Sequence, residues 1–172
     1  PERTTQYEMG IRQSLTDNFA FTLTTFYKDY RDQLRWDKTY STGAGDIAEG
    51  LPLFASRQNN DFATSKGFEL TLELRRTQRL AARLNYTLSS SKGTGSDVAS
   101  SRVLVSDADP TSARYPTLIY NLDYNQPHRG SLMMDYRFPM GDGGPILQGL
   151  GLNLLFTFNS GHGYTAIREP ST

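Results

Sequence analysis

Lys66-Gly67-Phe68-Glu69-Leu70-Thr71-Leu72-Glu73-Leu74-Arg75 sorts its side chains cleanly from Phe68 onward. Phe68, Leu70, Leu72 and Leu74 are apolar, and Glu69, Thr71, Glu73 and Arg75 are polar. A strand puts these two sets on opposite faces, whereas a helix would mix them. The next stretch repeats the pattern: Leu80, Ala82, Leu84, Tyr86 and Leu88 alternate with Ala81, Arg83, Asn85, Thr87 and Ser89. Only Arg76-Thr77-Gln78-Arg79 separates the two, which predicts a tight hairpin.

Working outward, the same period recurs. Tyr7, Met9 and Ile11 alternate with Glu8, Gly10 and Arg12, and Leu15 resumes the apolar side. Thr16-Asp17-Asn18 has turn chemistry. Phe19, Phe21, Leu23 and Tyr27 then share a face, with Phe26 intruding on the other. Farther on, Leu132, Met134, Tyr136 and Phe138 alternate with Ser131, Met133, Asp135 and Arg137. After Gly141-Asp142-Gly143-Gly144-Pro145, Leu150, Leu152, Leu154, Phe156 and Phe158 alternate with Gly151, Asn153, Leu155, Thr157 and Asn159.

Each segment has about the 9–11 residues with which a tilted strand crosses a bilayer. The count is roughly six strands in three hairpins. Short turns follow the first, third and fifth. Long polar stretches follow the second and fourth, at Asp37 to Asp61 and Lys92 to Gln126. Short turns at one end and long loops at the other are the asymmetry of an outer-membrane barrel. Tyr7, Tyr27, Tyr30, Trp36 and Tyr86 fall near the strand ends on the long-loop side, as an interfacial aromatic girdle would. The expected fold is therefore all-β: an antiparallel up-and-down transmembrane β-barrel segment, incomplete as a barrel, with residues 1–172 forming one partial domain.

Composition is consistent with this. The 172 residues carry 18 basic and 18 acidic side chains, so no basic excess points to nucleic acid. Cysteine is absent, which removes disulfides, thiolate metal sites and cysteine nucleophiles. No run approaches the roughly 20 apolar residues of a membrane helix. An overall polar hydropathy is no guide here, because barrel strands show lipid only every second residue.

Several phrases resemble the barrel of TonB-dependent receptors. These are Pro1-Glu2-Arg3-Thr4-Thr5-Gln6-Tyr7-Glu8-Met9-Gly10-Ile11, Phe26-Tyr27-Lys28-Asp29-Tyr30-Arg31-Asp32, Ala63-Thr64-Ser65-Lys66-Gly67-Phe68-Glu69-Leu70 and Ser160-Gly161-His162-Gly163-Tyr164-Thr165. Tyr124-Asn125-Gln126-Pro127-His128-Arg129 is similar to a fifth, with Asn125 in place of the usual acid and Pro127 in place of a basic residue. The flavour is that of the large receptors whose N-terminal extension resembles a carboxypeptidase regulatory domain. The resemblance implies a bacterial outer-membrane location and uptake of a scarce siderophore, glycan, peptide or similar ligand. It also implies an energising TonB partner acting through a plug domain. Plug, TonB box and the terminal aromatic strand are not among these residues. About six strands cannot close the 22-strand barrel of such a transporter, so the expectation is a part of a longer receptor.

The candidate residues follow from the faces. Phe68, Leu70, Leu72, Leu74, Leu84, Leu152, Leu154 and Phe156 would meet lipid. Glu69, Glu73, Arg75 and Arg83 would line the lumen, either contacting plug and substrate or simply pairing across a wet interior. Arg75, Arg76 and Arg79 cluster at one turn, where a headgroup contact competes with plain solvation. Trp36, Asp37, Tyr40 and Asp46 fall in the first long loop, where the resemblance implies substrate capture.

Asp107-Ala108-Asp109 lacks the glycine and closing glutamate of a calcium loop. His128 and His162 have no carboxylate at ligand spacing. No catalytic motif is present, so neither an enzyme nor a cofactor is expected. Two other classes share part of the pattern. A passive porin or adhesive barrel has the same strands without plug or TonB partner. A soluble β-sandwich would bury the Leu70-to-Leu74 face between two sheets.

Overall fold

The computed structural model describes residues 1–40, 53–96 and 118–163, with the side chains of 37–40 and 53–56 outside that description. The strands are β1 (Arg3–Ser14), β2 (Phe19–Tyr40), β3 (Leu53–Thr77), β4 (Leu80–Gly93), β5 (Tyr120–Asn121), β6 (His128–Arg137) and β7 (Gly151–Asn159). They form one sheet in the order β1-β2-β3-β4-β6-β7, and β5 pairs separately with β4. The six long strands are the six expected. The path is open, running from β1 to β7 without closing on itself.

The short connections are built as the sequence suggested. Between β1 and β2, the Thr16 hydroxyl accepts the backbone N–H groups of Asn18 (3.3 Å) and Phe19 (3.0 Å). Only Gln78 and Arg79 separate β3 from β4, and Gln78 holds a left-handed φ of 55°. The β6–β7 connection holds a feature the sequence did not suggest, a single helical turn, α1 (Gly144–Leu147), with Pro145 in its first turn. Phe138 and Leu150, expected within strands, lie just beyond them. They still pair, since Phe138 N donates to Leu150 O at 2.9 Å.

The long connections differ from expectation. The described residues of the polar stretch from Asp37 to Asp61 are strand: β2 continues to Tyr40 and β3 starts at Leu53. With 22 and 25 residues, β2 and β3 far exceed the 9–11 residues that cross a bilayer, so half or more of each is surplus to a bilayer crossing. There neither face has to meet lipid, and the alternation that marks a strand in lipid disappears.

The chain divides into two compact units. Unit 1 comprises Pro1–Gln6, Lys28–Ser65 and Ser91–Tyr124, and its strands run into the long connections. Unit 2 comprises Tyr7–Tyr27, Lys66–Ser90 and Asn125–Thr172, and holds the short turns.

Among the described residues, the only buried hydrophobic side chains are Ala63 and Leu122. Tyr7, Met9, Ile11, Leu152, Leu154 and Phe156 are more than half exposed. A soluble sandwich would cover such side chains with a second sheet, and the described residues form a single one. An exposed apolar surface of this kind marks contact with a membrane or with another protein.

Candidate functional site

Unit 2 carries the two-faced part of the sheet. β4 pairs with β6 so that Ala82 faces Met134 and Leu84 faces Leu132. β6 pairs with β7 so that Leu132 faces Phe156, Met134 faces Leu154 and Tyr136 faces Leu152. Cross-strand partners share a face, so the apolar residues form one continuous surface. Its outer rows are aromatic: Tyr86 stacks against His128 and Phe158, and its hydroxyl meets His128 Nδ1 at 2.8 Å. Leu84, Leu152, Leu154 and Phe156 lie on this face. Phe68 adjoins it through Tyr86, 6.1 Å between ring centroids. Leu70, Leu72 and Leu74 share the side of Phe68 by strand alternation.

The opposite face is polar and internally bonded. Thr71 Oγ1 donates to Asn85 Oδ1 (3.1 Å), and Asn85 Nδ2 donates to Ser131 Oγ (3.3 Å), a track across β3, β4 and β6. Arg83 and Glu73 pair at 3.1 Å. Asp135 takes Arg76, and Arg137 at 2.9 Å. Of the expected lumen set, the sheet thus brings Glu73 and Arg83 together. Glu69 makes no ion pair among the described residues. Arg75 meets no carboxylate among them, and its backbone N–H donates to Asn18 O at 2.7 Å. Of the turn arginines, Arg76 pairs with Asp135 and Arg79 with Asp142, and Arg79 also lies 5.2 Å over the Phe138 ring. These are protein contacts rather than free headgroup ligands.

Two apolar residues interrupt the polar face. Met133 and Leu155 sit directly opposite each other and are 54% and 63% exposed. Phe26, which broke the alternation of β2, has a local explanation. Its ring tip is 3.0 Å from where a Cβ on Gly67 would stand, so Gly67 leaves the space the ring needs.

Unit 1 holds a polar cluster that sequence reasoning missed. Asp61 is 3% exposed. It accepts from Arg35 Nη1 (3.4 Å) and Thr94 Oγ1 (2.9 Å), and Thr94 Oγ1 in turn accepts the Phe62 N–H at 3.1 Å. Nearby in β2, Asp32 adopts a left-handed φ of 58° inside a continuous strand. Such a residue breaks the ladder and re-aims the side chains beyond it. The displaced backbone groups are recovered by side chains: Glu2 Oε1 accepts the Leu34 N–H (3.0 Å), and Asn59 Nδ2 donates to Asp32 O (2.6 Å). Arg3 grips the Asp32 carboxylate through Nε (2.9 Å) and Nη2 (2.6 Å). No motif signals any of this, because each residue is an ordinary polar residue until the strands pair.

Trp36, Asp37 and Tyr40, expected in a loop, belong instead to β2. Trp36 carries the Arg57 guanidinium over its ring at 5.0 Å. Asp46 lies outside the described residues, as do Asp107 and Asp109. Tyr124 holds its phenol proton above the ordinary value of 10.0, mainly through partial burial and secondarily through Tyr30.

An antiparallel sheet with one apolar and one bonded polar face, few buried side chains among the described residues, and alternating short and long connections is the wall of an outer-membrane-type β-barrel. The family model for the TonB dependent receptor-like β-barrel matches residues 1–169, and the chain belongs to that family. Members of the family are typically bacterial outer-membrane proteins. No curated protein and no solved structure matches the chain.

Proposed function

We propose that this chain is wall and strand extension of a receptor that captures a scarce ligand and imports it across the bacterial outer membrane. The strands extended beyond the bilayer, with Trp36, Asp37 and Tyr40 on β2 and Asp46 in the connection after it, receive the ligand. The polar face with Glu69, Glu73, Arg75 and Arg83 lines the path. Transport is energised by the TonB complex acting on a plug, and outer-membrane lipid covers the Leu152-Leu154-Phe156 face. Siderophores, glycans and peptides all fit aromatic and acidic strand ends.

The observation that carries this beyond family membership is the Met133–Leu155 pair. Water in an open pore would gain nothing from two opposed apolar side chains on the polar face. A folded body inside the barrel would cover them. That favours a plugged receptor over a passive porin.

The test uses cells that make the full-length protein, with and without a working TonB complex. Depletion of a panel of chelates, glycans and peptides from the medium is measured. A receptor loses uptake of one ligand class when either component is removed. Uptake that persists without energy would identify a porin and refute the proposal.

A further inference from the structure

We propose that the β6–β7 connection, residues 138–150, is a membrane foot, whose Met140, Ile146 and Leu147 enter the lipid leaflet at the short-turn end of the sheet. The inference rests on the reading that lipid covers the Leu152-Leu154-Phe156 face, and it carries that contact past the ends of the strands.

Composition sets this connection apart. Phe138-Pro139-Met140-Gly141-Asp142-Gly143-Gly144-Pro145-Ile146-Leu147-Gln148-Gly149-Leu150 holds one charge, Asp142, and Arg79 pairs with it. A connection lying in water is ordinarily polar. The other two short connections, at 15–18 and 78–79, carry one large apolar residue between them, Leu15. Met140 and Ile146 are 82% and 87% exposed, more than any other large hydrophobic side chain among the described residues.

The apolar surface runs into this connection without a break. Tyr136 faces Leu152 across β6 and β7, and the Phe138 ring lies 5.3 Å from the Tyr136 ring. A Cβ on Gly143 would stand 2.9 Å from Phe138 Cδ1 and 2.8 Å from Leu147 Cβ. Those two side chains therefore close on one spot, and glycine leaves them the room. Ile146 is the neighbour of Leu147 in α1. Met140 Sδ lies 3.4 Å from where a Cβ on Gly149 would stand.

Membrane depth gives the contact a reason. The aromatic row at the long-loop end is reached at Phe158, and Leu150 lies eight residues before it. At about 3.4 Å per residue and a tilt of about 35–45°, that stretch covers roughly 19–22 Å of depth. The apolar band of an outer-membrane barrel is about 25 Å tall. A few ångströms of hydrocarbon are left beyond Leu150, and the connection stands there. Its backbone suits the place. Gly141 N–H donates to Gln148 Oε1 (3.4 Å), and the N–H groups of Asp142, Gln148, Gly149 and Leu150 donate to carbonyls of the same connection. Pro139 and Pro145 have no N–H to satisfy. Few backbone donors then depend on water, as entry into lipid requires.

The test places a nitroxide label on a single cysteine of the full-length receptor in phosphatidylethanolamine–phosphatidylglycerol vesicles, with any cysteine elsewhere changed to serine. The variants are Met140→Cys, Ile146→Cys, Leu154→Cys, Asn18→Cys and Gln78→Cys, each checked for normal heat-modifiable mobility. Electron paramagnetic resonance compares collisions with oxygen, which concentrates in hydrocarbon, and with a water-soluble nickel chelate. The oxygen-to-chelate ratio at 140 and 146 should resemble that at 154 and exceed that at 18 and 78 several-fold. A ratio at 140 and 146 no higher than at 18 and 78 would overturn the inference. So would shielding of both positions from both reagents, which would mean that protein covers the connection. Oxygen preference at 154 together with chelate preference at 140 and 146 sinks this inference alone. Chelate preference at 154 sinks the lipid reading of the face, and this inference with it.

Discussion

Alanine at two glycines of the same sheet should have very different consequences. At Gly67, an added Cβ would stand 2.2 Å from Leu88 O and 2.9 Å from Ser89 Cα. Both are backbone atoms of the neighbouring strand, and neither can rotate away. Restoring ordinary contact moves β4 from β3 by roughly 1 Å, which takes adjacent ladder bonds beyond hydrogen-bond range. Two such bonds at about 1 kcal/mol each, plus overpacking strain of about 1–3 kcal/mol, put the cost of Gly67→Ala at roughly 3–5 kcal/mol. At Gly130, the added Cβ would stand 2.3 Å from Phe158 Cε1 and 2.5 Å from its Cζ. Those atoms are the end of a side chain, and the ring can swing off the strand. Lost aromatic packing of about 0.5–1.5 kcal/mol is offset by about 0.4–1 kcal/mol from a stiffer unfolded chain. Gly130→Ala should therefore change stability by less than about 1 kcal/mol. The assay is urea unfolding of the full-length receptor in detergent micelles, followed by tryptophan fluorescence and heat-modifiable mobility. The two midpoints should differ by about 1 M or more. Equal midpoints, or Gly130→Ala as the worse variant, would refute the claim that backbone proximity sets these glycines.

Other outcomes rest on the same structure. Gln78→Gly should stabilise the β3–β4 hairpin by about 1 kcal/mol, because Gln78 holds a φ of 55° that glycine adopts freely; a lower unfolding midpoint would contradict it. Leu154→Arg should cost about 2–4 kcal/mol in lipid, while Asn153→Arg, one residue along and on the polar face, should cost under about 1 kcal/mol; vesicle-based unfolding compares them. Tyr124 should add to alkaline instability. Its proton is held more tightly in the fold, so stability is intact below pH 10.0 and falls as pH rises from there through the raised folded value. Tyr124→Phe should therefore flatten the alkaline limb of a stability–pH curve and leave neutral stability nearly unchanged.

The fold was legible where hydrocarbon had written it. Between Phe68 and Leu74, or Leu152 and Phe158, every second residue must suit lipid, so alternation is enforced and the strands read plainly. The reading stopped at Asp37 because the period stopped there, yet β2 continues to Tyr40 and β3 has already begun at Leu53. Alternation reports a boundary between two solvents. A strand with no lipid-facing side obeys the same backbone rules and leaves no such trace. The left-handed Asp32 compounds this, since any parity counted from Phe19 no longer holds past it.

The candidate site was legible by face and not by partner. Glu73 and Arg83 could both be assigned to the polar side from alternation alone, and they pair. That Arg75 would stand apart while Arg76 reached Asp135 depends on register between strands far apart in sequence. The buried Asp61–Arg35–Thr94 cluster joins three segments of chain in the same way. Composition shows how many charges a chain has, and alternation shows on which side they lie. Only the pairing of strands decides which of them are already matched.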